Sequence, residues 1–127
     1  MSSPQLKPCP ESPNCVSTQT QQKSKQMDPI PFEFDTKEVL KIIKGVVESL
    51  PNTRLEKESD HYLHYTFKSK IFRFIDDVEF LIDAEQKLIH FRSASRTGYS
   101  DMGVNKKRMT ELTAGIEQAM KSRTTDR

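Results

Sequence analysis

From residue 35 onward, the hydrophobic positions follow first a helical and then an alternating pattern. In the first stretch, apolar residues recur at helical spacing, at Val39, Ile43, Val46, Val47 and Leu50. Asp35 and Glu38 have the spacing of a capping box. Pro51 disfavours helical backbone at the residue before it. The pattern therefore predicts a helix that begins near Asp35 or Thr36 and ends at Pro51.

Two hairpins are predicted after this helix. The first lies within residues 53–68, where Leu63, Tyr65 and Phe67 fall on one face. The second turns at residues 84–87. Its predicted cross-strand partners are Asp83 and Leu88, Ile82 and Ile89, Phe80 and Phe91, Glu79 and Arg92, and Asp76 and Ser95. A slip of one residue would turn every apolar side chain to the wrong face, so the register is well specified.

The last predicted element is a helix that starts near Asn105, whose side chain can cap it. Its buried stripe is expected to consist of Met109, Leu112, Ile116 and Ala119. Residues 94–104, before this helix, are interpreted as a loop. The order α-β-β-β-β-α predicts an α+β fold, in which a four-stranded antiparallel sheet packs with two helices, most simply on one face.

The first 35 residues have a different character, because they hold six of the seven prolines together with several glutamines. Proline removes backbone donors, and polar side chains bury little apolar surface. We predict a proline/glutamine-rich leader over residues 1–28, irregular or partly disordered and mobile over residues 16–28. A single domain is predicted over residues 29–121, entered by an irregular strap at 29–35, with a flexible tail over 122–127.

Composition narrows the function classes. The 127 residues suit a single domain, and a net charge of +2 without tryptophan argues against a generic nucleic-acid binder. No apolar run reaches the roughly 18 residues of a membrane span. The N-terminus also lacks the apolar stretch of a signal peptide. The expected location is thus open between the cytoplasm and an exported form whose export segment is missing from this chain.

The two cysteines, Cys9 and Cys15, lie close together in the sequence. A small disulfide loop, which would indicate an oxidising compartment, and two free thiols are both compatible with this spacing. A zinc site would need two further ligands, and no Cys or His lies near them in sequence. Neither a metal site nor a cofactor is predicted.

Residues 92–108 concentrate charge and small polar side chains. Five cations, namely Arg92, Arg96, Lys106, Lys107 and Arg108, oppose one acid, Asp101, so the local net charge is 5 − 1 = +4. Three of these cations stand at the start of the last helix, where the positive pole prefers anions. A bound phosphate, sulfate or carboxylate would account for them. The candidate binding residues are Arg92, Ser93, Ser95, Arg96, Tyr99, Asp101, Asn105 and Lys106.

A structural charge lattice would explain the same residues without a ligand. The acids that could supply its negative charge are Asp76, Asp77, Glu79 and Asp101. A Glu79–Arg92 pair across the strands would contribute roughly 0.2–1 kcal/mol. Asp76 would need a partner if buried, for which Arg96 and the Ser95 hydroxyl are candidates. In this reading Tyr99 plugs its loop onto the domain, whereas in a binding site it would wall the ligand.

Three functional hypotheses follow from this segment. The leading one is a non-catalytic binding module for an anionic or polar ligand. The second is an enzyme that acts on an acidic substrate with Asp76 or Asp101 as general base. It is weakened because no serine lies in a Gly-x-Ser-x-Gly pattern and the histidines lack the spacing of zinc ligands. The third is a protein-interaction module that docks an acidic partner on the same cations.

Three segments of the chain resemble the bacterial and plastid family catalogued as domain of unknown function 1499. The matching motifs are Cys9 with residues 12–17, residues 74–80, and residues 92–101 followed by 103–105. The resemblance covers about residues 9–120. It implies no established activity and no catalytic residue. Because members are often exported or lumenal, the resemblance favours the disulfide and a periplasmic or lumenal location.

Overall fold

The computed structural model describes residues 5–10, 14–69, 74–96 and 102–125. Two helices and one antiparallel sheet confirm the α+β class. The strands are β1 (Cys15–Ser17), β2 (Ile30–Pro31), β3 (Thr53–Ser59), β4 (Tyr62–Lys68), β5 (Ile75–Asp83) and β6 (Leu88–Ser95). The α-helices are α1 (Thr36–Glu48) and α2 (Met102–Thr125), and a short 3-10 helix lies at Lys23–Lys25. None of the helices described is long and apolar enough to cross a membrane.

The sheet has six strands, so the prediction of four was wrong. Its order is β1-β6-β5-β4-β3, and β2 also pairs with β6. The two additional strands come from the proline-rich N-terminal region, where Cys15 pairs with Ala94 and Ile30 with Ile89. They cover the backbone N–H and C=O groups that β6 would otherwise expose at a sheet edge. The domain boundaries at residues 28 and 121 stay predictions.

The β5–β6 hairpin has the predicted register. Every predicted partnership is present, from Asp83 opposite Leu88 to Asp76 opposite Ser95. The Asp83 carboxylate accepts hydrogen bonds from the backbone N–H groups of Glu85 and Gln86 at 3.1 and 3.0 Å. Lys87 completes the turn with a positive φ of 59°. The turn and the apolar alternation thus specify the same pairing.

The hydrophobic core lies between the helices and one face of the sheet. Its central members are Val39, Ile43, Leu63, Tyr65, Val78, Phe80, Ile89, Phe91, Met109 and Ile116. Asp35 caps α1 as predicted, since its side chain accepts from the Glu38 N–H at 2.9 Å. Leu50 was wrongly assigned to the buried stripe. It lies beyond the end of α1, next to Pro51, and is 41% exposed.

Helix α2 begins at Met102, within the segment predicted to be a loop. Asn105 therefore lies inside the helix and does not cap it. Its side chain is fully buried and faces β6. The stripe of Met109, Leu112 and Ile116 is buried as predicted, with Ala119 half-buried beside it. This orientation of α2 brings polar side chains of its first turns against the end of β6.

Candidate functional site

The sheet separates the predicted ligand-binding residues of β6. Because side chains alternate along a strand, Arg92 and Arg96 lie on the face of the sheet that points away from the helices. We call this the open face. Ser93 and Ser95 lie on the face that α2 covers, where both contact Asn105. Two further predicted residues, Tyr99 and Asp101, are outside the described residues. Lys106 is exposed on α2. The described candidates are thus divided between two sites.

The first site is a buried polar cluster formed by Asp76, Ser93, Ser95, Asn105 and Arg108. Arg108 Nη2 lies 2.7 Å from Asp76 Oδ2, and its Nη1 donates to Asn105 Oδ1 at 3.0 Å. The Ser93 hydroxyl donates to the same Asn105 oxygen at 2.7 Å. Asn105 Nδ2 in turn donates to Ser95 Oγ at 3.3 Å. These bonds tie α2 to β5 and β6.

Arg108 is the partner of Asp76 that the sequence reasoning missed. Arg96 and the Ser95 hydroxyl had been the predicted partners, yet Arg96 pairs with Asp77 on the other face. The guanidinium of Arg108 also stacks over the Phe67 ring, 5.1 Å from its centroid. Helical spacing was the available signal, because Arg108 stands four residues before the core residue Leu112. This cluster has the character of the structural charge lattice.

On the open face, Arg92 holds the N-terminal segment to the sheet. Its Nη1 donates to Glu79 Oε1 and its Nη2 to the Pro8 carbonyl, both at 3.4 Å. The cross-strand pair of Glu79 and Arg92 is therefore confirmed. Tyr62 donates its hydroxyl to the same glutamate. Burial, together with this hydrogen bond, raises the pKa of Tyr62 above its ordinary value. Arg92 is 9% exposed, so it offers little surface to a ligand.

Asp77 is the acid of a second set of contacts on the open face, in which it binds Arg96 and His64. Both of its oxygens accept from Arg96 at 3.0 Å, and Oδ1 also lies 2.8 Å from His64 Nε2. Burial pushes the pKa of Asp77 upward, but the hydrogen bonds from Arg96 and His64 outweigh it and hold the pKa below the ordinary value. Hydrogen bonding to Asp77 raises the pKa of Arg96, because it stabilises the charged guanidinium. Asp77 is thus an ionised anchor for the arginine.

Arg96 lies at the edge of a concavity on the open face, with a volume of about 460 Å³. We call it the basic concavity. Its lining residues are Asn52, Thr53, Arg54, Glu56, Thr66, Lys68, Ile75 and Arg96. Arg54 and Lys68 were missed by the sequence reasoning, because they stand far from residues 92–108 in the chain. The available local signal was the alternation of β3 and β4, which puts Arg54 and Lys68 on the face opposite the core.

Cys9 and Cys15 form a disulfide, which excludes the free-thiol and zinc alternatives for this pair in the structure. Both sulfur-bearing residues are buried and pack with Ala94 of β6. Arg92 and the disulfide therefore hold the N-terminal segment at neighbouring points of β6. Within the described ranges, no group of three or more His, Cys, Asp or Glu side chains is arranged to hold a metal ion.

His90 is a titratable side chain at the point where the N-terminal segment meets β6. Its Nδ1 lies 2.9 Å from the Thr18 hydroxyl, which also accepts from the Phe91 N–H at 3.1 Å. Burial lowers the pKa of His90, and Asp83 opposes this effect only in part. The unfolded chain therefore binds more protons than the folded one between the lowered pKa and the unfolded value of about 6.5. We therefore expect stability to be lost as the pH falls through this window.

We expect the urea midpoint of His90→Gln to fall less than that of the wild type between pH 7 and pH 5. Asp77 does not interfere, because a carboxylate with a lowered pKa loses its contribution only at more acidic pH. His61→Gln is the matched control, since His61 is exposed. If the wild type and His90→Gln lose stability in parallel over this range, His90 does not cause the pH dependence.

A comparison with protein-family models connects this architecture to a family. The model described as a protein of unknown function (DUF1499) matches residues 5–116. No curated protein and no solved structure shows significant similarity to the chain. The family match covers the disulfide, the whole sheet, α1 and most of α2. It confirms the resemblance seen in the sequence motifs, and the chain therefore belongs to the DUF1499 family.

Proposed function

We propose that the domain is a non-catalytic binding module that holds a small anionic ligand in the basic concavity. The observation that supports this most directly is the state of Arg96. Its guanidinium is fixed by two hydrogen bonds to Asp77, yet the side chain remains 50% exposed. Its remaining N–H groups form no hydrogen bond to any other described residue, and a carboxylate or phosphate would suit the planar geometry of arginine. An oriented and exposed arginine is a good anion ligand because little rotamer freedom is left to lose.

Two further cations support the same proposal. The Arg54 side chain is 81% exposed, and its contact with Glu56 is long at 3.7 Å. Lys68 is exposed and forms no ion pair with any residue that the structure describes. With Glu56 and Asp77 as the acids, three cations oppose two carboxylates, which gives a local charge of 3 − 2 = +1. The volume of the basic concavity, about 460 Å³, also lies within the range of about 300–1,000 Å³ that is usual for small-molecule sites.

The alternatives receive less support. Asp76 is 4% exposed and bound to Arg108, so a substrate would have little access to it as a general base. Docking of an acidic protein on the same three cations remains the second candidate. The disulfide supports the further proposal that the domain works in an oxidising compartment, such as a bacterial periplasm or a plastid lumen.

Titration of the isotopically labelled protein with phosphate, sulfate and small carboxylates, followed by NMR at low salt, tests the proposal. We expect selective chemical-shift changes at residues around the concavity. The double variant Arg54→Ala/Lys68→Ala should weaken binding by up to about thirtyfold, because each of the two exposed pairs contributes up to about 1 kcal/mol. Arg96 is kept, since its removal would also leave Asp77 without its main donor.

The matched control is Lys106→Ala/Lys107→Ala, which removes the same charge from two exposed positions of α2. It should bind as the wild type does. An equal loss of affinity in both double variants would mean a non-specific field or a site at the start of α2. If none of the anions binds, the small-anion proposal is wrong, and docking of an acidic protein becomes the better candidate.

A further inference from the structure

We infer that the ligand of the basic concavity carries an ammonium group together with its anionic group, as an amino acid does. This inference rests on the proposed function and names the ligand class. It is drawn from a contrast between the two carboxylates at the site. Asp77 and Glu56 stand in the same cationic surroundings, but their hydrogen-bonding states differ.

Both oxygens of Asp77 accept hydrogen bonds from charged or ring N–H groups of the protein itself. Arg96 and His64 supply three hydrogen bonds to its two oxygens, at 2.8–3.0 Å. Its side chain is 23% exposed, and it stands behind Arg96 as that residue's anchor. Asp77 is not among the residues that line the concavity, and its charge is already paired with Arg96. Asp77 therefore acts as a positioning residue for Arg96.

Glu56 is only partly satisfied. Its Oε2 accepts from the Thr66 hydroxyl at 2.8 Å and lies 3.7 Å from Arg54 Nε, which is too far for a hydrogen bond. Its Oε1 has no hydrogen bond to any described residue. About a third of the side chain is exposed, and Glu56 lines the concavity directly. A carboxylate that lines a concavity and has an oxygen without a donor among the described residues is suited to accept an ammonium group.

The charges around Glu56 explain why a simple anion should bind less tightly than a ligand that also carries an ammonium group. An anion held between Arg54, Lys68 and Arg96 would also be repelled by the Glu56 carboxylate that lines the same concavity. A zwitterion turns this repulsion into attraction, because its ammonium group can face Glu56 while its carboxylate faces the cations. The half-buried side chain of Ile75 adds an apolar wall for the carbon skeleton of the ligand.

Two matched pairs of compounds test the inference: alanine against propionate, and aspartate against succinate. Within each pair the carbon skeleton and the carboxylates are the same, and only the ammonium group differs. Isothermal titration at low salt should show that the ammonium-bearing member binds about fivefold more tightly. This is the factor expected for one partly exposed ion pair of about 1 kcal/mol.

Glu56→Gln should abolish this preference and strengthen the binding of propionate and succinate. Glutamine retains an oxygen that can accept from Thr66, and the substituted side chain lies at the surface, so folding should be unaffected. Glu85→Gln is the control, because it removes the same charge from the exposed β5–β6 turn. It should keep the wild-type preference.

The outcomes separate this inference from the proposed function. If simple anions bind as well as or better than their ammonium-bearing partners in the wild type, the inference is overturned, while anion binding stands. A preference that persists in Glu56→Gln also overturns it, since Glu56 would not be the recognition group. If neither member of either pair binds and inorganic phosphate and sulfate do not bind either, both proposals fail together.

Discussion

Replacing Arg108 with alanine is expected to lower the free energy of unfolding by about 3–5 kcal/mol. The side chain of Asp76 is 6% exposed, and Arg108 Nη2, at 2.7 Å, is its charged partner. The other carboxylate oxygen, Oδ1, is buried and forms no hydrogen bond to any described residue. Without Arg108 the carboxylate would be buried with no donor from the described residues to offset its desolvation. Urea unfolding followed by circular dichroism measures the loss.

Two comparisons separate this mechanism from a general effect of the substitution. Lys107→Ala, one position away on α2, removes an exposed cation and should change stability by no more than about 0.5 kcal/mol. The double variant Arg108→Met/Asp76→Leu should recover much of the loss, because it removes both buried charges together. If Arg108→Ala unfolds within about 1 kcal/mol of the wild type, Asp76 does not depend on this guanidinium.

Asn105→Ala is expected to destabilise the domain by about 3 kcal/mol, since each buried polar group left without a partner costs about 1–3 kcal/mol. The Asn105 amide donates to the Asn14 carbonyl at 3.0 Å, and its oxygen accepts from Ser93 and Arg108. The residue is 0% exposed, so water cannot readily replace these bonds. The change therefore removes hydrogen bonds that join α2 to β6 and to Asn14, the residue before β1.

Differential scanning calorimetry of Asn105→Ala, with Thr110→Ala as the control, measures this effect. Thr110 is exposed on α2, where its hydroxyl donates to the Lys106 carbonyl, so its loss should have little effect. Asn105→Asp gives a finer test. It keeps the acceptor for Ser93 but removes the donor to Asn14, and it should fall between the wild type and alanine. A wild-type melting profile for Asn105→Ala would show that the buried polar cluster contributes little to stability.

The two strands that the sequence pattern did not predict, β1 and β2, show where a local pattern is insufficient. β1 has three residues, and β2 has two, one of them Pro31, so neither is long enough to display alternation. Their pairing with β6 joins positions such as Cys15 and Ala94, which are distant in sequence. Such pairing depends on the exposed edge of β6, and this edge exists only once the β5–β6 hairpin has formed.

The candidate site shows a related limit. Grouping residues 92–108 by proximity in the chain joined arginines and serines that the alternation of β6 sends to opposite faces. This division could have been predicted as soon as β6 was extended to Ser95. The association of Arg54 and Lys68 with Arg96 could not, because it depends on the order β3-β4-β5-β6 across the sheet.

By itself, the sequence determined α1 with its Asp35 cap, the register of the β5–β6 hairpin, the Glu79–Arg92 pair and the apolar stripe of α2. Each of these follows from backbone periodicity or from a turn, which act over a few residues. Only the tertiary structure decided that Arg108 neutralises Asp76 and that Arg96 pairs with Asp77. Hydrogen bonds and ion pairs act over a few ångströms of space, so their partners are chosen by the packing of distant segments and not by spacing along the chain.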